Sequence, residues 1–220
     1  MTVNTQPVAE RPDPRAYGLP VVEQDQIPDE LRSLVDGVRN LVDAVANTEA
    51  DSATLAEADA AVRALNDKLN SARREVGTMI RRTMGDGSDE LGTITNIVAG
   101  TTNPAAPPLD LEHVEGGVHG TVTLNTTFQG PPGLVHGGWI AALLDQAVGS
   151  ASAVETSPGM TAKLEVNYRH PTPLFTPLEI SAQVRSTERR KVYVTGRIRA
   201  HGKVTAEAEA LMIRIPMDEG

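Results

Sequence analysis

Gln129-Gly130-Pro131-Pro132-Gly133-Leu134-Val135-His136-Gly137-Gly138-Trp139 is the stretch on which the fold turns. Two prolines and four glycines within residues 129–138 specify one particular backbone path rather than a generic loop. His136 stands before two glycines that open a helical segment from Gly138 to about Ala153, in which Ile140, Ala141, Leu143, Leu144, Ala147 and Val148 occupy nearly every side. A helix apolar all round is a buried helix. Its first turn leaves backbone N–H groups unpaired at the positive end of the helix dipole, where a developing oxyanion is stabilised.

Outward from this segment the hydrophobic period becomes two. Val118, Gly120, Val122 and Leu124 alternate with more polar residues before the helix; Leu164 and Val166, Ile180 to Val184, Val192 to Ile198, and Ala206 to Arg214 alternate after it. Five strands in the order strand, helix, four strands predict an α+β fold in which an antiparallel sheet wraps a central helix. Asp145 is the sole charge on that helix, nine residues past His136, which is about 13 Å of rise. A carboxylate there is either a buried acid satisfied by local or interfacial partners, or the reacting group. If His136 and Asp145 both act, they serve different sites of a symmetric dimer, one protomer supplying the amide donors and the other the carboxylate. His136 on its own also fits a capping imidazole, and Gly137 and Gly138 also fit close helix packing.

Upstream, residues 1–27 carry Pro7, Pro12, Pro14 and Pro20 among charges and are expected to form an extended arm. Residues 28–82 read as a helical hairpin with helices at about 28–47 and 52–76. Leu31, Leu34, Val35, Val38, Leu41, Val42 and Val45 form one stripe, and Leu55, Ala58, Val62, Leu65, Leu69, Ala72 and Val76 alternate spacings of three and four. Such narrow seams are marginal alone, so the hairpin serves either as an oligomerisation or partner-binding element or as a cover on the adjacent domain. Residues 83–108, rich in Gly, Thr, Asn and Pro, are expected to be a linker, and residues 109–217 the second module.

Composition sets the outer limits. The 220 residues are 40% hydrophobic, enough for one ordinary domain plus an appendage. With no cysteine, a disulfide framework, a zinc ribbon and a thiol nucleophile are all excluded. The formal charge of −9 argues against nucleic acid as partner. It is uneven: residues 1–103 hold 10 basic and 17 acidic side chains, residues 104–220 hold 10 and 12. Five scattered histidines predict no metal site and no cofactor. The absence of a long apolar run and of a basic-then-apolar leader predicts no membrane span and a cytoplasmic protein.

The run Gly130-Pro131-Pro132-Gly133-Leu134-Val135-His136-Gly137-Gly138, with Asp145 nine residues past the histidine, resembles the hotdog-fold acyl-CoA thioesterases of the phenylacetyl-CoA and 4-hydroxybenzoyl-CoA type, in particular their carboxyl-terminal modulator-like branch. The resemblance continues through Gly159-Met160-Thr161-Ala162-Lys163-Leu164-Glu165-Val166-Asn167-Tyr168-Arg169-His170-Pro171 and Arg190-Lys191-Val192-Tyr193-Val194, covering roughly residues 104–217. It implies a hotdog fold preceded by the N-terminal hairpin, and hydrolysis of acyl-CoA to a carboxylic acid and CoA by a homodimer or a dimer of dimers. On it, Asp145 activates water or attacks the thioester carbonyl, Gly137 with Gly138 polarises that carbonyl, His136 orients the loop or touches the thioester, and Thr161 places the acid. Asn167, Arg169, Arg190 and Lys191 fall where relatives hold the CoA moiety, a role that suits cationic groups facing phosphates. Arg189, Arg190 and Lys191 also suit a solvated hairpin turn. A non-catalytic acyl-CoA-binding or scaffold protein is the competing reading.

Overall fold

The computed structural model describes residues 13–85, 87–156 and 159–214. Residues 1–12 of the expected arm and 215–217 of the second module lie outside the described residues. In chain order the elements are β1 (Val21–Glu23), α1 (Asp29–Asn47), α2 (Ser52–Asn70), β2 (Met79–Thr83), β3 (Asp89–Thr93), β4 (Asp110–Val114), β5 (Gly117–Val122), α3 (Gly137–Glu155), β6 (Gly159–Tyr168), β7 (Leu178–Glu188), β8 (Lys191–Ala200) and β9 (Lys203–Arg214).

Strands β4 to β9 form one six-stranded sheet in the order β4-β5-β7-β8-β9-β6, with every pairing antiparallel. α3 packs across it, chiefly on β5, β7 and β8. Leu143, Leu144, Ala147 and Val148 of the helix are fully buried, as are Leu178, Ile180, Val192 and Ile198 of the sheet. Each of these leucine, isoleucine and valine side chains contributes roughly 1.5–3 kcal/mol relative to exposure. Gly196 on β8 lets the helix lie close: a Cβ there would fall 3.1 Å from Val148 Cγ1 and 3.2 Å from Leu144 Cδ2. The sheet wrapped around a buried central helix is the hotdog arrangement, an α+β fold with helices before it, as expected.

The expected five strands gain a sixth. β4 escapes the sequence reading because, of its five residues, only Leu111 is buried, so no period of two is visible in it. The N-terminal half also differs from expectation. The arm contains β1, the hairpin range ends in β2, and the expected linker contains β3; together they form a three-stranded sheet, β1 parallel and β3 antiparallel to β2. Its core is small: Ile27, Ile80 and Ile94, with Val22 and Leu31 packed against them. Strands this short acquire their conformation from the pairing rather than from propensity. α2 stops at Asn70 although the apolar spacing runs on to Val76, because Ser71 Oγ donates to the Lys68 carbonyl at 2.7 Å and competes with the helical bond.

The two halves are joined by polar ties. Arg82 pairs with Asp110 at 2.9 Å, and Asn96 Nδ2 donates to Gln146 Oε1 of α3 at 3.1 Å. Arg39 of α1 donates through Nε to the Ala106 carbonyl at 3.0 Å. The first half of α1 is anchored by buried Val35, whereas Leu41, Val42 and Val45 in its second half are exposed.

Candidate active site

The glycine- and proline-rich loop delivers α3's first turn. Gly130 folds back so tightly that a Cβ would lie 2.8 Å from His136 Cα, and its N–H donates to the Leu134 carbonyl at 2.9 Å. The His136 N–H in turn donates to the Phe128 carbonyl at 2.9 Å, which fixes where the helix starts. His136 is the N-cap: its Nδ1 accepts the Gly138 N–H at 2.9 Å, and its carbonyl accepts the N–H groups of Trp139 and Ile140. Of the first helical N–H groups, that leaves Gly137's without an acceptor among the described residues. Gly137 lines an open cleft of about 390 Å³ with Pro131, Leu134, Tyr168, Arg169 and Thr172. The Thr172 hydroxyl is buried beside it and has no hydrogen-bond partner among the described residues.

Eight residues along the helix, about 12 Å of rise, Asp145 is half-buried and its Oδ1 accepts the Thr161 hydroxyl at 2.8 Å. This contact depends on an irregularity in β6. Lys163 pairs with Leu211 and Thr161 with Met212, so Ala162 is the extra residue of a bulge. In a regular strand Thr161 would face away from Leu164 and Val166; the bulge returns it to the helix side, opposite buried Met212, whose sulfur lies 3.5 Å from the Thr161 oxygen.

At its other end β6 is tied to α3 again: Tyr168 Oη donates to the Gly137 carbonyl at 3.0 Å. The sequence reading did not single out Tyr168. Its position on the same face as Leu164 and Val166, at a spacing of two, is the signal that could have marked it as helix-facing.

The sequence-predicted residues therefore separate into two groups within one chain. His136, Gly137 and Gly138 lie at the start of α3, beside the Tyr168 end of β6, where Asn167 and Arg169 also fall. Asp145 and Thr161 lie at the other end, on the same rungs of the sheet as the β7–β8 turn: Thr161 pairs with Met212 and Met212 with Val192, next to Arg190 and Lys191. Arg169 Nε pairs with Glu207 at 3.1 Å, and Arg197 reaches the same carboxylate at 3.2 Å. These hydrogen bonds, Arg169's above all, hold the Glu207 carboxyl below the ordinary carboxylate range. Arg190 Nε donates to the Arg214 carbonyl at 3.1 Å and Lys191 is exposed, so the two split between turn structure and open surface.

A second, larger cleft of about 610 Å³ lies between α1, residues 104–108, residues 123–128 and Phe175, and adjoins the start of α3 through Phe128. Its Phe128 wall stacks edge-on with Trp139 at a centroid distance of 4.9 Å. Among the described residues no group of three His, Asp or Glu side chains is placed to hold a metal ion. None of their helices is long and apolar enough to cross a membrane.

Comparison with known proteins places these features in a lineage. The family model described as Thioesterase superfamily matches residues 132–207, from the loop before His136 to the paired Glu207. The chain is similar to acyl-coenzyme A thioesterase THEM4 of Xenopus laevis, 38% identical over 89 residues, which are 40% of this chain and 40% of that protein. It is similar to the Mus musculus THEM4 at 34% over 104 residues, 47% of this chain and 41% of that protein. The chain thus spans about two fifths of the length of these curated relatives. A crystal structure of a thioesterase superfamily protein aligns over 88% of this chain and 98% of its own, with 34% identity and a TM-score of 0.73. That alignment is too long to concern the sheet and central helix alone and takes in the N-terminal half as well. With the loop, the helix and nearly the whole of a solved relative matched, the chain belongs to the thioesterase superfamily.

Proposed function

We propose that the chain hydrolyses acyl-CoA to a carboxylic acid and CoA as a homodimer, with Asp145 as nucleophile or general base and the Gly137 amide as the donor to the thioester oxygen. The observation that carries this reading is the Thr161–Asp145 hydrogen bond at 2.8 Å, created by a bulge, on a helix whose one other charge is Glu155 at its last position. Thr161 occupies Oδ1 and leaves Oδ2 to face a water or the carbonyl carbon. As general base, Asp145 takes a proton from water while the water oxygen attacks; as nucleophile, it forms an anhydride that water then opens. Either way the carbonyl oxygen becomes an oxyanion, the Gly137 N–H and the helix dipole stabilise it, and its collapse expels CoA thiolate, which takes up a proton.

The two groups in one chain lie about 12 Å apart along α3 and are tied to opposite ends of β6, at Thr161 and Tyr168. A two-fold axis beside β6 would bring the amide group of one protomer to the carboxylate group of the other. β6 suits this role: it is a ten-residue edge strand, paired only with β9 among the described residues and largely exposed. Asn167 and Arg169 of one protomer and Arg190 and Lys191 of the other would then flank one site, fitting the phosphates of CoA.

The test is turnover of a panel of acyl-CoAs by the wild type and by Asp145→Asn. The variant is expected to fold and lose roughly a hundredfold or more in rate. Equal turnover by the folded variant overturns the assignment of Asp145, and a wild type that binds every acyl-CoA in the panel but turns over none supports a binding or scaffold role.

A further inference from the structure

Every residue of α2, from Ser52 to Asn70, is exposed. Most of a helix's stability in a protein comes from packing of its apolar face, so an exposed α2 calls for a partner along its seam. That seam is regular. Leu55, Ala58, Val62, Leu65, Leu69 and Ala72 recur at spacings of three and four, the heptad spacing of a coiled coil, and Leu55, Val62, Leu65 and Leu69 are 47%, 45%, 37% and 48% exposed.

The order of large and small residues selects the partner. In a parallel pair Ala58 would face Ala58 and Leu55 would face Leu55, alternating voids with crowding. In an antiparallel pair of identical helices, each seam residue faces the one whose number completes a sum of 127: Ala58 meets Leu69 and Val62 meets Leu65, while Leu55 falls opposite position 72, two residues past the end of α2. The seam alanine within the helix then faces a leucine, and the layers have nearly constant volume. Charge points the same way. The start of α2 carries its N-cap Asp51, then Glu57 and Asp59, and the second half carries Arg63 and Lys68 against Asp67. Antiparallel superposition sets the acidic half of each helix over the basic half of the other and opposes the two helix dipoles. Self-complementarity under a two-fold is what an isologous contact between identical chains requires.

We propose that α2 is a docking surface for a second copy of this chain, and that the two α2 helices pair antiparallel in the register centred between Val62 and Leu65. The contact stands apart from the chemistry proposed above and involves none of its residues.

The chain has no cysteine, so the register can be read by cross-linking in the full-length protein. Ala58→Cys together with Leu69→Cys places each new thiol opposite its complement on the other copy. Mild oxidation is expected to convert this double variant to a species of twice the mass on a non-reducing gel. In either single variant the like thiols lie eleven residues apart along the paired helices, about 16 Å and beyond disulfide reach, so the band is lost. The same separation within one helix prevents an internal bridge. Adding Leu65→Asp to the double variant strikes the two central layers and is expected to abolish the band, while far-UV circular dichroism reports that the rest of the chain stays folded. A double variant that never doubles its mass overturns the proposal, as do single variants that link as readily as the double, or a band that survives Leu65→Asp.

Discussion

Gly130→Ala tests whether the loop before α3 sets the position of the Gly137 amide. The added Cβ would stand 2.8 Å from His136 Cα, a backbone atom that cannot swing aside. Restoring ordinary contact at 3.4 Å requires a displacement of at least 0.6 Å, from 3.4 − 2.8. No φ in the left-handed region is recorded for Gly130, so backbone strain is not at issue and the effect is one of space. Crowding of this kind costs about 1–3 kcal/mol, which lowers the melting temperature by roughly 2–12 °C in a chain of this size. Because His136 caps the helix, the shift passes to Gly137. A misplacement of 1 Å can cost about a hundredfold in rate, so one of 0.6 Å is expected to cost about tenfold. The loss should appear in kcat, with KM little changed, when steady-state hydrolysis of an acyl-CoA is followed beside a thermal melt. A lowered melting temperature with an unchanged kcat would refute the link between loop packing and amide placement, and no change in either would show that the close approach is relaxed at no cost.

Tyr168→Phe removes the hydrogen bond to the Gly137 carbonyl and is expected to lower kcat about fivefold, the equivalent of one ordinary hydrogen bond of about 1 kcal/mol, with the melting temperature within a few degrees of wild type. Arg190→Ala combined with Lys191→Ala should raise KM for CoA esters but spare N-acetylcysteamine thioesters, which lack the nucleotide; equal loss on both substrates would mark the pair as structural. Glu207, whose carboxyl is held low chiefly by Arg169, contributes stability that is fully present above its unfolded value near 4.5 and fades as the pH falls through its lower folded value. Thermal melts of Glu207→Gln and wild type are therefore expected to differ above about pH 5 and to converge in stronger acid, by a small margin because the triad is solvent-screened.

The central architecture was legible because its signals are local. A largely apolar helix after a loop rich in glycine and proline, followed by long alternating strands, leaves few other arrangements, and the buried faces of β7, β8 and β9 are those the alternation marks. The N-terminal sheet was not legible: Asp89-Glu90-Leu91-Gly92-Thr93 has neither alternation nor β-propensity, and it is a strand because β2 lies beside it. Of the site, the residue types were readable from the motif, but their assembly was not. The facing of Thr161 depends on a bulge that strict alternation contradicts, and the tie from Tyr168 to Gly137 joins residues 31 positions apart. Arg169 shows the converse, since its partner Glu207 is 38 positions away and no spacing rule links the two.

The bulge gives β6 two independently phased halves. From Leu164 onward the phase is anchored by side chains packed on the core, but before Ala162 the strand holds only Gly159, Met160 and Thr161, none of them buried. Deletion of the single residue Ala162 would close the bulge and place Thr161 directly before Lys163, where regular alternation keeps it on the helix side, still opposite Met212 and facing Asp145. The bulge thus absorbs one residue: a one-codon insertion in a lineage with a regular strand could have been taken up there without parting the hydroxyl from the carboxylate.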